Sequence, residues 1–296
     1  MVPIIQDGST RLPVQRLCTL THIPRSSYYR MQCVPKTTSD PEGERLRQEL
    51  HAVCAEYRSY GYRRATHELR RRGFAVGRKR VRALMNKENL RCRRKKRWMQ
   101  TTDSKHHYRI YPNLAQELVV ERPNQLWVAD ITYVRLVYEF VYLAVILDAF
   151  SRRAVGWALS RHIDTQLTLA ALTKALETRT VEPGLVHHSD RGVQYASTEY
   201  VALLLSRDIA ISMSRKGNPY DNAKTESFMK TLKTEEVSIS EYETFSQAKE
   251  QIDHFINTVY NNKRLHSALS YRTPAEFEAQ CITKPFTLTI PETVSI

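Results

Sequence analysis

Asp130 in LWVADITYV, Asp190 in LVHHSDRGVQY and Glu226 in NPYDNAKTESFMKTLK have the residue types and surroundings of a phosphoryl-transfer site. The second and third have 35 residues between them. Carboxylate oxygens bind hard divalent cations, and two such cations about 3.5–4 Å apart stabilise both the attacking and the leaving oxygen of a displacement at phosphorus. Each acid also has a plainer reading. Asp is disfavoured at a strand centre, so Asp130 either lies on an edge strand with one wet face or has another reason to be there. Asp190 reads equally as a turn aspartate, and Glu226 as an ordinary helix residue paired with a lysine. Helical spacing adds weight to Glu226, because Asn222, Lys230 and Lys233 fall at −4, +4 and +7 and share its face. Lysines so placed suit substrate phosphates.

Other groups compete for the same role. Asp148 in ILDAFSRR reads as the cap of a turn to Arg152, with metal ligation as its second reading. Asp221 reads as a helix N-cap, reinforced by Asn218, Pro219 and Asn222, with Gly217–Asn218 as a loop ahead of the helix. His187, His188, Ser189 and Asp190 have the composition of a hydrolase triad but no nucleophile context, and His188 reads as a neighbour of a metal site.

The elements that must carry these acids follow from periodicity. Trp127–Leu136 alternates, Phe140–Phe150 is a buried-strand run and Ala154–Leu159 is a third strand, with turns at Tyr138–Glu139 and Ser151–Arg153. Thr165–Thr178 is an amphipathic helix, Leu185–His188 a strand, Thr198–Ser206 a helix and Ile209–Met213 a fifth strand. Glu226 belongs to a helix over about Tyr220–Thr234, and another helix spans Phe245–Tyr260. Antiparallel strands followed by alternating helix and strand give a mixed α/β domain.

Upstream the pattern is helical. Residues 11–31 form two short helices around a break at Thr21–Pro24, with Leu17, Cys18, Leu20 and Tyr28 as buried candidates. A polar stretch at 35–44 precedes a helix over Arg45–Tyr57. Two further helices around Gly73 fit a helix-turn-helix whose second helix carries Arg78, Lys79, Arg80 and Arg82. The basic run RCRRKKRW follows, containing Arg93, Arg94, Lys95 and Lys96. The expected organisation is a helical DNA-binding region at 1–98 (helix-turn-helix at about 45–90, basic tail 91–98), a linker at 99–123, a catalytic domain at 124–280 and a tail at 281–296.

The charge distribution agrees with that division. The net charge is +14, and residues 1–100 hold 24 Lys/Arg against 8 Asp/Glu, so the remainder is close to neutral. Excess confined to one third of a chain points to a polyanion-binding module, and the contacts would go mainly to phosphates. A membrane-surface role lacks the broad apolar face that an interfacial helix needs. No apolar run reaches 18 residues, and five cysteines without a C-x-x-C pair argue for reduced thiols, so a soluble, intracellular, non-membrane protein is expected. His51, Cys54, His67 and Cys92 do not have zinc spacing.

WVADITYV, ILDAFSRRAVGWALS, HHSDRGVQYAS, SMSRKGNPYDNAKTESFMKTLK and YNNKRLHSALSYRTPAEF resemble successive blocks of the IS3-family insertion-sequence transposase, its second open reading frame product. That family belongs to the retroviral-integrase-like DDE recombinases. YGYRRATHELRRRGFAVGRKRVRALM is similar to its helix-turn-helix segment, and RLCTLTHIPRSSYYRM to its N-terminal block. The resemblance spans residues 11–279 and departs at Pro219–Tyr220, where many relatives carry a different residue and Trp. It implies an RNase H-like core, with a mixed five-stranded sheet, following an all-helical N-terminal region. It also implies that Asp130, Asp190 and Glu226 are the DDE triad and Lys233 the basic residue associated with that motif. The implied chemistry uses two Mg²⁺ ions, with Mn²⁺ as substitute, to nick element ends and join the freed 3′-OH to DNA. The implied partners are double-stranded DNA at terminal repeats and target, further copies of the chain, and the upstream reading-frame product. Two other readings stand beside it: a DNA-binding regulator that keeps the fold, and an RNase H-type nuclease.

Overall fold

The computed structural model describes residues 13–32, 40–90, 107–215 and 223–283. The basic tail with Arg93, Arg94, Lys95 and Lys96, and the loop with Gly217, Asn218, Asp221 and Asn222, lie outside the described residues. Contacts divide the chain into two compact units, 1–52 and 53–296.

In the first unit, α1 (Val14–Leu20) and α2 (Arg25–Gln32) flank the expected break. Cys18 and Tyr28 are buried as read from the sequence, whereas Leu20 is 66% exposed. Leu20 is the last residue of a helix of only seven residues. Helix α3 (Pro41–Glu56) begins four residues earlier than expected, Asp40 capping it through the 2.9 Å bond its Oδ1 accepts from Gly43 N–H. Its Leu46, Leu50 and Val53 are buried at helical spacing.

The second unit opens with α4 (Tyr62–Arg71) and α5 (Arg78–Lys87). Gly73, at φ 90°, ends α4 in the left-handed conformation that a side chain resists, and Phe74 N–H closes the end on the Leu69 carbonyl at 3.0 Å. Val76, Val81 and Met85 are buried, which leaves Arg78, Lys79, Arg80 and Arg82 on the exposed side of α5.

The sheet has the order β3-β2-β1-β4-β5. Its strands are β1 (Leu126–Arg135), β2 (Phe140–Asp148), β3 (Ala154–Ser160), β4 (Val186–Ser189) and β5 (Ala210–Met213). The first three are antiparallel neighbours, and β4 and β5 run parallel to β1. Strand β1 is therefore central, so the edge-strand reading of Asp130 does not hold. Between the strands lie α6 (Thr165–Thr178), α7 (Val193–Ala196) and α8 (Thr198–Leu205), followed by α9 (Ala223–Leu232), α10 (Phe245–His254) and α11 (Pro274–Thr283). The four-residue α7 and the final α11 were not legible in the sequence. Helices α9 and α10 each run on into a π-helical turn, Lys233–Val237 and Phe255–Tyr260.

Strand alternation sorts side chains into two apolar layers. Leu126 and Val128 pack with Phe228, Met229 and Leu232 of α9, whereas Trp127 and Ala129 pack with Leu167, Ala171 and Leu172 of α6. Helix α6 starts where Asp164 accepts a 3.0 Å bond from Leu167 N–H, and it lies hard against β3 at Gly156. A Cβ at Gly156 would stand 2.2 Å from the Ala171 carbonyl oxygen and 2.9 Å from Ala175 N. Backbone cannot step aside as a flexible side chain can. Gly156→Ala is thus expected to destabilise the protein by about 3 kcal/mol, the upper end for overpacking. Urea unfolding checks this, and a loss under about 1 kcal/mol would mean that the layer is looser than these distances imply.

Candidate active site

The β1–β4 ladder pairs Leu126 with Val186, Trp127 with His187 and Val128 with His188. Carried two residues further, this register sets Asp130 level with Asp190, just past the end of β4, on strands about 4.8 Å apart. Both follow the parity of Val128 and Val186, whose side chains join the layer under α9. Helix α9 brings Glu226 to the same layer. Phe228, Met229 and Leu232 are its buried stripe, so Glu226 and Lys230 stand on the exposed side.

The electrostatics show that the acids feel one another. Burial, then the charge of Asp190, then that of Glu226 raise the Asp130 pKa to about 7, against a 2.8 Å bond from Ile131 N–H and the Lys233 charge that act downwards. Lys233 approaches from the π-turn after α9. Its Nζ lies 4.1 Å from the Tyr133 ring centroid, and burial holds its pKa down while Asp130 pulls it up. Asp190 also shapes its own loop, Oδ1 accepting 2.9 Å from Gly192 N–H.

The neighbours of the acids resolve the competing readings. Asp148 is fully buried and accepts bonds from the N–H groups of Asn124, Phe150 and Ser151 and from Ser151 Oγ. It organises the turn, as its first reading held. His187 Nε2 lies 2.9 Å from Tyr200 Oη, and burial lowers its pKa to about 3. His188 Nδ1 lies 2.8 Å from Ser212 Oγ, which also receives Leu114 N–H at 2.9 Å. These histidines fasten strands to their surroundings and form no nucleophile system. Tyr195 was not singled out in the sequence. Its hydroxyl is buried without a hydrogen-bond partner among the described residues, and burial, Tyr200 and then Asp130 and Asp190 push its pKa well up.

Residues 120–219 match the integrase core domain, residues 207–274 match a second integrase core domain model, and residues 41–98 match an HTH-like domain. The chain is 38% identical over 263 residues to the insertion element IS600 31 kDa protein of Shigella sonnei, covering 88% of this chain and 97% of that one. It is 38% identical to the IS904 transposase of Lactococcus lactis, covering 80% and 94%. It is 31% identical over 280 residues to the IS3A transposase InsF of Escherichia coli, covering 93% and 96%.

The chain belongs to the IS3-family insertion-sequence transposases.

The five-stranded mixed sheet with its helices is the integrase-core fold of this family, preceded by the helical HTH-like region. Among solved structures, the catalytic core domain of BIV integrase is 16% identical with a TM-score of 0.41, covering 54% of this chain and 97% of that one.

The candidate donors are all carboxylates, whose oxygens suit hard cations such as Mg²⁺ or Mn²⁺, and their mutual repulsion is relieved by a bound proton or a bound cation. Among the described residues no three acidic, His or Cys side chains are already gathered as a metal-ligand set.

The sign of the linkage is fixed by the Asp130 shift. Its folded pKa of about 7 lies above the ordinary 3.8, so the folded chain holds the extra proton between these values and loses stability as pH rises through them. In chelator, Asp130→Asn should therefore raise the melting temperature at pH 8, with the gain vanishing towards about pH 4. Equal melting temperatures at pH 8 by calorimetry would show that no destabilised carboxylate sits there.

Proposed function

We propose that this chain is a DNA transposase that nicks insertion-element ends and joins the freed 3′-OH to target DNA, with Asp130, Asp190 and Glu226 as its catalytic acids. The observation that carries the reading is the parallel pairing of β1 with β4, with Asp130 two residues past the last paired residue of β1 and Asp190 just past the end of β4, and the charge of Glu226 on the helix packed over them felt at Asp130. Membership of a transposase family supports it. In the first step a water oxygen attacks the scissile phosphorus and the 3′ oxygen leaves as a hydroxyl. In the second, that 3′-OH oxygen attacks a target phosphodiester, forming one P–O bond and releasing a target 3′-OH. Both steps need the same pocket.

The three acids would hold two Mg²⁺, or Mn²⁺ in their place. Bound there, the ions lower the pKa of the attacking hydroxyl and stabilise the leaving oxygen. A carboxyl that titrates near neutrality takes up a proton in competition with metal, so the acids bind best when ionised. Lys233, close enough to act on Asp130, and Lys230, one turn back on the exposed side, suit the substrate phosphates. Arg78, Lys79, Arg80 and Arg82 lie exposed on α5, where a recognition helix would meet the major groove. Arg93, Arg94, Lys95 and Lys96 would extend that contact along the backbone. Two element ends must be brought together, so the working form is an assembly of copies on DNA, with the upstream reading-frame product as a further partner, in the cytoplasm. Among the described residues no helix is long and apolar enough to cross a membrane.

A Mg²⁺-dependent strand-transfer assay on labelled element-end DNA should show Asp190→Asn slower by at least about a hundredfold, the loss expected when several kcal/mol of metal-borne stabilisation is removed. Equal activity of the two proteins would reject the assignment. Cleavage confined to an RNA–DNA hybrid would favour the nuclease reading, and end binding without cleavage in any metal the regulator. Separately, Arg80→Gln/Arg82→Gln should weaken duplex binding and lower the slope of log affinity against log salt by about 2. An unchanged slope in an anisotropy titration would remove α5 from the interface.

A further inference from the structure

Helices α1 and α2 are too short to be stable alone, and one specific turn joins them. Helix α1 ends with His22 at φ 54°, a left-handed position that glycine fills most easily. The Ile23 N–H reaches back to the Cys18 carbonyl at 3.1 Å and the His22 N–H to that of Thr19 at 3.4 Å, the paired bonds that close a helix at a left-handed residue. Pro24 has no N–H with which to prolong α1. Its carbonyl receives Ser27 N–H at 2.9 Å and Tyr28 N–H at 3.1 Å, which starts α2. The turn is therefore Thr21–Pro24. Cys18, small and buried in α1, meets Tyr28 of α2, with Val14 and Ile23 packed against the pair. A helix, a short turn and a second helix, with an inward contact from each arm, is the arrangement of a helix-turn-helix.

What the pair leaves outside differs from an ordinary solvated face. Arg25, Ser26 and Tyr29 are exposed on α2 and fall within an arc of about 100°. Arg16 is exposed on α1. Between Asp7 and Asp40 the sequence carries Arg11, Arg16, Arg25, Arg30 and Lys36 and no acid. The next helix, α3, shows the mixture usual on a surface helix, with Glu42, Glu44, Glu49 and Glu56 beside Arg45 and Arg47. A face of one sign suits a polyanion. The α2 face is also unlike that of α5, whose Arg78, Lys79, Arg80 and Arg82 offer charge alone. Serine and tyrosine add hydroxyls that donate and accept, and arginine adds a planar fork that matches two acceptors at once.

We propose that α1 and α2 form a second helix-turn-helix, separate from the HTH-like domain over 41–98, that reads base edges in the major groove of duplex DNA. Arg25 and Ser26, at the start of α2, meet the bases, with Arg25 forked on O6 and N7 of a guanine. Arg16 on α1 and Tyr29, one turn along α2, bond backbone phosphates. The chain then has two readers of different kinds. Helix α5 supplies mainly affinity, through phosphates, and α2 supplies preference for one sequence. That the duplex is an element end rests on the function proposed above. The helix-turn-helix itself rests on the turn, its packing and its one-signed face.

The test compares footprints of the full chain and its Arg25→Gln variant, in chelator, on a duplex from the end of the element that encodes the chain. Dimethyl sulfate reports guanine N7, and hydroxyl radical reports the backbone. The parent should shield a guanine N7 that Arg25→Gln leaves open. The variant's affinity for the end duplex should fall about tenfold, and that for a duplex of arbitrary sequence by much less, as when one base contact is lost. Arg25→Lys should not restore the shielding, since it returns the charge without the fork. Because Arg25 is exposed, the variants should melt with the parent, and Ser26→Ala carries the affinity comparison if Arg25→Gln unfolds early. The same shielding and the same ratio of affinities in parent and variant overturn the proposal. An unchanged footprint with altered self-association in ultracentrifugation overturns it in favour of a protein contact. A parent that shows the shielding but fails the strand-transfer assay keeps this reader and overturns the function above. A parent that binds no duplex overturns both.

Discussion

The register between β1 and β4 is the constraint on which the site depends. In a strand the side-chain period is two, so a slip of one residue would send Asp190 to the face occupied by Trp127 and leave Asp130 without it. Both faces of β4 are specified. His187 is fixed to Tyr200 on one side, His188 to Ser212 on the other, and Val186 fills the layer beneath α9. A four-residue strand has few ladder bonds of its own, and these buried side chains supply the missing specification. The buried histidines that suggested a triad in the sequence are therefore what aligns the two aspartates.

Helix α9 meets a second constraint, because it must present Glu226 and Lys233 from one side while being anchored from the other. Phe228, Met229 and Leu232 give the anchor. Beyond them, Glu235 of the π-turn receives Arg264 through two 2.7 Å bonds and Arg64 of α4 at 3.5 Å. Tyr60 Oη accepts Leu265 N–H at 2.9 Å, and His67 stacks on Tyr271 with centroids 3.7 Å apart. A buried ion cluster of this kind adds little net stability, since desolvation offsets most of the attraction, but losing one member leaves an uncompensated charge. Its effect is positional. Helix α4, within the HTH-like segment, and the turn that ends the acid-bearing helix share one carboxylate, two residues after Lys233.

The sequence made the sheet legible because its strands are long or bounded by turn residues, and alternation marks both faces. It made Asp130, Asp190 and Glu226 legible because an acid in a central strand, an acid at a strand end and an acid aligned with two lysines each carry a local signal. What it could not show lay in tertiary pairing. The burial of Tyr195, whose pKa feels two carboxylates, and the bonding of Arg264 and Arg64 to Glu235 depend on residues tens of positions apart. Leu20 illustrates the converse, since its type favours burial and only its place at the end of a short helix exposes it.

Local rules fail in this fold at a small number of places, and the failures cluster. Asp130 stands in a central strand with its carboxyl near neutrality. Arg152 holds a left-handed backbone in the turn that Asp148 organises, its N–H bonded to the Asp148 carbonyl. A chain selected for stability alone would replace Asp130 with Asn or Thr. A carboxylate that destabilises a chain by itself becomes favourable when a component of opposite charge completes it, and that is the physical sense in which an acid kept in a central strand marks a place where something cationic belongs.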